Sequence, residues 1–162
     1  MAEIVLTAAQ FRDLLTRDIE ADTILLRRAA LDACIRAEAR AVELTNEEGL
    51  VDQGLFKNSW KASAISTGAE LANDAPYAAV IEHGRRPGRP GPPLAPIRAW
   101  VHRKLVMTGE IPPEDEDSVA FAIRQKIHVK GTRPRFILQT VFDEATRTFV
   151  RDAVRRLRAR HR

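Results

Sequence analysis

The chain has a single cysteine, Cys34, among 162 residues, which excludes a disulfide framework and any metal site built from several thiolates. Aromatic residues make up only 6%, with one tyrosine, so no series of exposed rings is available to stack nucleobases. No run approaches the roughly 18 apolar residues of a membrane span. The first residues, with acidic Glu3 among them, lack the basic flank and apolar stretch of a secretory signal. The expectation is a protein that stays where it is made and engages no membrane. Catalytic loops are missing as well: Gly84, Gly88 and Gly91 are interrupted by prolines, and there is no phosphate-cradling glycine loop ending in Lys, no nucleophile elbow and no His-Glu-x-x-His pair. His83, His102, His128 and His161 fall one per segment without ligand spacing, and Cys34 has no activating base beside it. No enzymatic activity, cofactor or metal is expected.

What the sequence does have is 44% hydrophobic and 30% charged residues, the composition of one globular domain over 1–162. We divide it into a helical segment 1–49, a core 50–150 and a basic tail 151–162. The formal net charge of +4 conceals a strong asymmetry. Residues 1–82 carry −6, 83–109 carry +6 with no acid, 110–117 carry −5 and 118–162 carry +9. Such segregation points to an electrostatic partner, either a phosphate backbone or an acidic protein surface.

Thr7 with Gln10 forms a capping-box pattern, and apolar residues at helical spacing (Phe11, Leu14, Leu15, Ile19, then Leu31, Ile35, Ala39, Val42) predict one helix or a helix pair up to Glu48, breaking near Asp22-Thr23. Asp32 and Arg36, like Asp13 and Arg17, are spaced as i,i+4 pairs. Alternation from Trp60, a Ser66-Thr67-Gly68 turn and a second run from Ala69 to Asn73 predict a β-hairpin, and Tyr77 to Gly84 a short helix. Residues 85–93 hold four prolines and read as an extended basic loop presenting Arg85, Arg86 and Arg89 to a partner. A helix with Pro96 in its first turn buries Ile97, Trp100, Val101 and Leu105; an acidic connection spans 107–117; Asp117 or Ser118 caps a helix closed by Gly131. The last helix is predicted from about Pro134, burying Leu138, Val141, Phe142, Ala145 and Phe149. It also carries Arg147, Arg151, Arg155, Arg158 and Arg162 as a cationic stripe available to DNA or an acidic partner. The fold class expected is therefore α+β: a long N-terminal helix or helix pair, a small antiparallel sheet, short helices and a C-terminal helix.

Three short elements in order, Gly54-Leu-Phe-Lys-Asn-Ser-Trp60, Tyr77-Ala-Ala-Val-Ile-Glu82-His-Gly84 and Arg133-Pro134-Arg135-Phe136, resemble those of the small neck or tail-completion proteins of tailed bacteriophages. The resemblance covers about residues 50–150. It implies a non-enzymatic structural protein of the virion, made in the host cytoplasm and located at the neck or head-proximal end of the tail. It further implies a homo-oligomeric ring, six-fold before twelve-fold, that joins the head connector or stopper to tail terminator or tube proteins, with genomic DNA passing through the channel. Gly54, Tyr77, Glu82, Gly84, Arg133, Pro134 and Phe136 would then be structural or interface positions. The alternative is a nonspecific nucleic-acid-binding protein that uses the C-terminal arginine stripe.

Overall fold

The computed structural model describes residues 8–50 and 52–162. The order is α1 (Ala8–Glu47), α2 (Leu55–Asn58), β1 (Trp60–Ile65), β2 (Gly68–Asn73), α3 (Ala78–His83), α4 (Leu94–Val101), α5 (Glu116–Lys130) and α6 (Ile137–Arg160). It is the α+β class expected, dominated by helix. Among the described residues no helix is long and apolar enough to cross a membrane.

Helix α1 runs 40 residues without interruption, about 60 Å. The break expected at Asp22-Thr23 does not occur: the Thr23 hydroxyl donates to the Ile19 carbonyl at 2.8 Å within the continuous helix, and Asp22 is engaged by Arg160 at 2.9 Å. Thr7, with its capping box, and the side chains of Phe11, Leu14 and Leu15 lie outside the described residues. The buried face is not the one the larger apolar residues predict. Ala29, Ala33, Ala37, Ala41 and Thr45, at i+4 spacing, are buried, whereas Ile19 is 65% and Ile35 52% exposed. A ladder of small side chains lets α6 and the hairpin approach the helix backbone closely, and that outweighs the burial of bulkier residues on the neighbouring stripe.

Helix α6 packs against α1, and acid–base contacts join the two along their length. Arg36 pairs with Asp152 at 2.9 Å, Arg156 with Asp32 at 2.5 Å and Arg160 with Asp18 and Asp22 at 2.8 and 2.9 Å. Asp32 and Arg36 thus choose partners on another helix instead of each other. The charge segregation that pointed to an outside partner is thus satisfied in part within one chain, the acidic N-terminal segment pairing with the basic C-terminal third.

Strands β1 and β2 pair antiparallel from Trp60↔Asn73 to Ile65↔Gly68, leaving Ser66 and Thr67 as a two-residue turn. The hairpin lies on α1, where the Ala62 N–H at the outer edge of β1 donates to the Glu38 carboxylate at 2.8 Å. The core gathers Phe56, Trp60, Ala75, Ile137 and Val141 over Ala37 and Ala41. Trp60 donates its indole N–H to the buried Thr45 hydroxyl at 3.1 Å, so the one polar atom of the ring enters the core paired.

Residues 94–130 form a separate helical arm in which α4 packs against α5 around Val101 and Ala120. After Val101 the helix widens into a π-helical stretch, His102–Val106, instead of continuing regularly through Leu105. A 3-10 turn at Pro113–Asp115 leads straight into α5, which therefore begins at Glu116, two residues before the expected Ser118. Neither Asp117 nor Ser118 caps it; the Ser118 hydroxyl donates back to the Asp115 carbonyl at 2.9 Å. Part of the acidic connection is engaged too, with Glu116 held by Arg98 at 3.0 Å and His102 at 2.8 Å. Those contacts, His102 first, hold the Glu116 carboxyl below its ordinary value.

Candidate interaction surfaces

Glu82, Gly84 and Phe136, with Arg133 and Pro134 between them, belong to one intramolecular clasp, and Gly54 and Tyr77 lie outside it. Arg85 and Thr132 exchange both backbone hydrogen bonds, at 3.1 and 2.9 Å, and two more run from Arg135 and Phe136 to the Ile81 and Glu82 carbonyls. The strands of this crossing approach so closely that a glycine is needed on each side. Gly84 has φ +69°, and a Cβ there would collide with the Thr132 carbonyl and stand 2.7 Å from the Pro134 nitrogen. Gly131, at φ +70°, faces the Arg85 carbonyl in the same way. Glu82 completes the clasp by accepting the Leu138 and Gln139 N–H groups at 2.9 and 3.1 Å, so its carboxylate caps the start of α6.

This explains why α6 begins at Ile137 and not near Pro134. Phe136 adopts left-handed backbone angles (φ 51°, ψ 37°) that stop the helix from extending backwards. The shift of register buries Ile137 and Val141, while Leu138 is 38% and Phe142 65% exposed, contrary to the expected core. Arg133 and Pro134 lie exposed in the approach. Tyr77, 41% exposed, stacks on Phe56 with ring centroids 6.2 Å apart, and Gly54 supplies the left-handed residue before α2.

The proline-rich loop is anchored to the arm. The Gly88 N–H donates to the His128 carbonyl at 2.8 Å, the His128 ring meets the Arg89 carbonyl at 2.8 Å, and Arg124 donates to the Pro92 carbonyl at 3.1 Å. Arg85 folds inward, its guanidinium bonded to the Pro90 carbonyl. Arg86 and Arg89 stay exposed and, with His83 and Val80, line a cleft of about 570 Å³. The expected presentation of all three arginines thus reduces to two.

On α6 the stripe separates from the residues that bind α1. Among the described residues Arg147, Arg151, Arg158 and Arg162 have no ion-pair partner, and Arg155 pairs with Asp152 of its own helix at 3.3 Å. Exposed Val150 and Val154 interleave with them along a shallow depression of about 550 Å³.

One further surface escapes sequence reasoning. A groove of about 530 Å³ opens between α1, β2 and α6, its walls formed largely by Cys34, Ala37, Leu71, Leu138 and Phe142, with Glu70 and Glu82 among the lining residues. Burial there pushes the Cys34 thiol pKa up, away from the thiolate a nucleophile needs. The available signal is the width of the apolar stripe on α6: Ile137, Leu138, Val141, Phe142 and Ala145 cover more of the helix than α1 alone can bury. The remaining histidines have partners inside the chain, His102 at Glu116 and His161 at Asp22.

No protein-family model matches the chain, and no curated protein or solved structure matches it.

Proposed function

We propose that this chain is a non-enzymatic structural subunit of a tailed-phage virion, one copy of a ring in the neck that joins the head connector to the tail. The observation that carries the subunit reading is surface left uncovered. Among the described residues large apolar side chains lie open to solvent: Phe121, Val129, Phe142, Met107 and Ile35 are each more than half exposed. Surfaces of that kind are covered by partners in assembled proteins. The order and spacing of the family-like elements supply the phage neck as the setting, with six copies favoured. The clasp gives those elements a physical role, since Glu82, Gly84 and Phe136 hold the arm, α3 and α6 in register while other faces meet neighbours. Light scattering on the purified chain, with and without phage connector and tail proteins, tests this. The expected result is a ring alone or on a partner ring; a chain that is monomeric and binds none of them refutes it.

A second reading, nonspecific nucleic-acid binding, is favoured by the unpaired arginines of α6. Replacing Arg147, Arg151, Arg155 and Arg158 with Gln would then abolish DNA binding and flatten its salt dependence. A neck subunit would still assemble after the same replacement.

A further inference from the structure

We infer that the groove between α1, β2 and α6 receives the outward face of α5 from a second copy of this chain. The inference rests on the ring reading and names the contact that builds the ring. The groove is open and mostly apolar, and its most exposed apolar wall residue is Phe142. The outward face of α5 offers a matching surface, with Phe121 51% and Val129 63% exposed two turns apart and Gln125 between them.

Charge agrees with shape. Glu70 and Glu82 line the groove, whereas α5 beyond Asp117 carries Arg124, Lys126 and Lys130 and no acid. Lys126 lies exposed beside the apolar pair, and neither it nor Glu70 has an ion-pair partner among the described residues. An acid-lined apolar groove meeting a base-flanked apolar helix face gives both attraction and orientation. Groove and helix face belong to different parts of the molecule, so the contact is heterologous. Repeated from subunit to subunit it generates a ring where the rotation closes.

Two engineered thiols make the contact measurable, since Gln139 also lines the groove and is exposed. In the full chain carrying Cys34→Ala, Gln125→Cys and Gln139→Cys, a short bis-maleimide should join the thiol on α5 to the groove thiol of the next subunit. Every copy carries both groups, so denaturing gels should show a ladder of dimer, trimer and higher species, forming at least tenfold faster than when Lys61→Cys on the hairpin replaces Gln139→Cys. The ladder should vanish when Gln139→Cys is left out. Lys126→Glu should weaken assembly at least tenfold, and Glu70→Lys in the same chain should restore it. Protein that is assembled by light scattering, yet gives no such ladder with the chain carrying both Gln125→Cys and Gln139→Cys, overturns this contact and leaves the ring reading standing. A chain that does not associate alone or on a partner ring overturns both.

Discussion

Replacing Glu82 separates an internal cap from an interface residue. In the folded chain its carboxylate accepts two α6 N–H groups, at 2.9 and 3.1 Å, from a segment 56 residues away. An N-terminal cap contributes about 0.5–2 kcal/mol, and negative charge at a helix start about 0.3–1 kcal/mol. Because water reaches these N–H groups, the lower halves of both ranges apply, and Glu82→Ala should cost about 1–2 kcal/mol. With a urea m-value near 2 kcal/mol/M, the midpoint falls by roughly 0.5–1 M. Glu82→Gln retains one acceptor oxygen without the charge and should lose about half as much. The assay is urea unfolding followed by circular dichroism and by Trp60 fluorescence, at one fixed protein concentration so that association does not shift the midpoint. A Glu82→Ala protein within about 0.3 kcal/mol of the parent, yet altered in assembly, would refute the capping role and return Glu82 to the interface.

Three other outcomes follow from the same structure. Gly131→Ala forces a side chain against the Arg85 carbonyl at a positive φ; thermal unfolding should show a loss of about 3 kcal/mol or more, or roughly 6–12 °C for a chain this long. Thr45→Val leaves the buried Trp60 indole N–H unpaired, which should cost about 1–3 kcal/mol in urea and alter tryptophan emission. The Glu116 carboxyl, held below its ordinary value by His102 and Arg98, contributes stability above its unfolded pKa and loses it as pH falls through the lower folded value. Acidification below about pH 4 should therefore loosen the arm, read at Trp100, and Glu116→Gln should flatten that dependence.

Local punctuation is legible in the sequence and partner choice is not. Gly131, the Ser66-Thr67 turn and the alternation from Trp60 are set by neighbouring residues, and the corresponding elements stand where expected. The face of α1 that is buried depends on how closely α6 can approach, and small Ala and Thr side chains win that contest over Ile35. Asp32 and Arg36 are equally well spaced for a local pair, but Asp152 and Arg156 arrive from more than a hundred residues away. For the site, Glu82 and Gly84 stand out in sequence, whereas their partners at Thr132, Leu138 and Gln139 are brought to them only by the crossing of two distant segments. The groove involves four elements, α1, β2, α3 and α6, so its residues carry no shared sequence signal beyond an overly wide apolar stripe on α6.

Electron microscopy of assembled phage particles tests the central claim most directly. The account predicts this chain as a closed ring between the head vertex and the tail, six copies totalling about 109 kDa from subunits of 18.1 kDa, with the groove of each subunit filled by α5 of its neighbour. Particles whose necks contain no copy of the chain would contradict it.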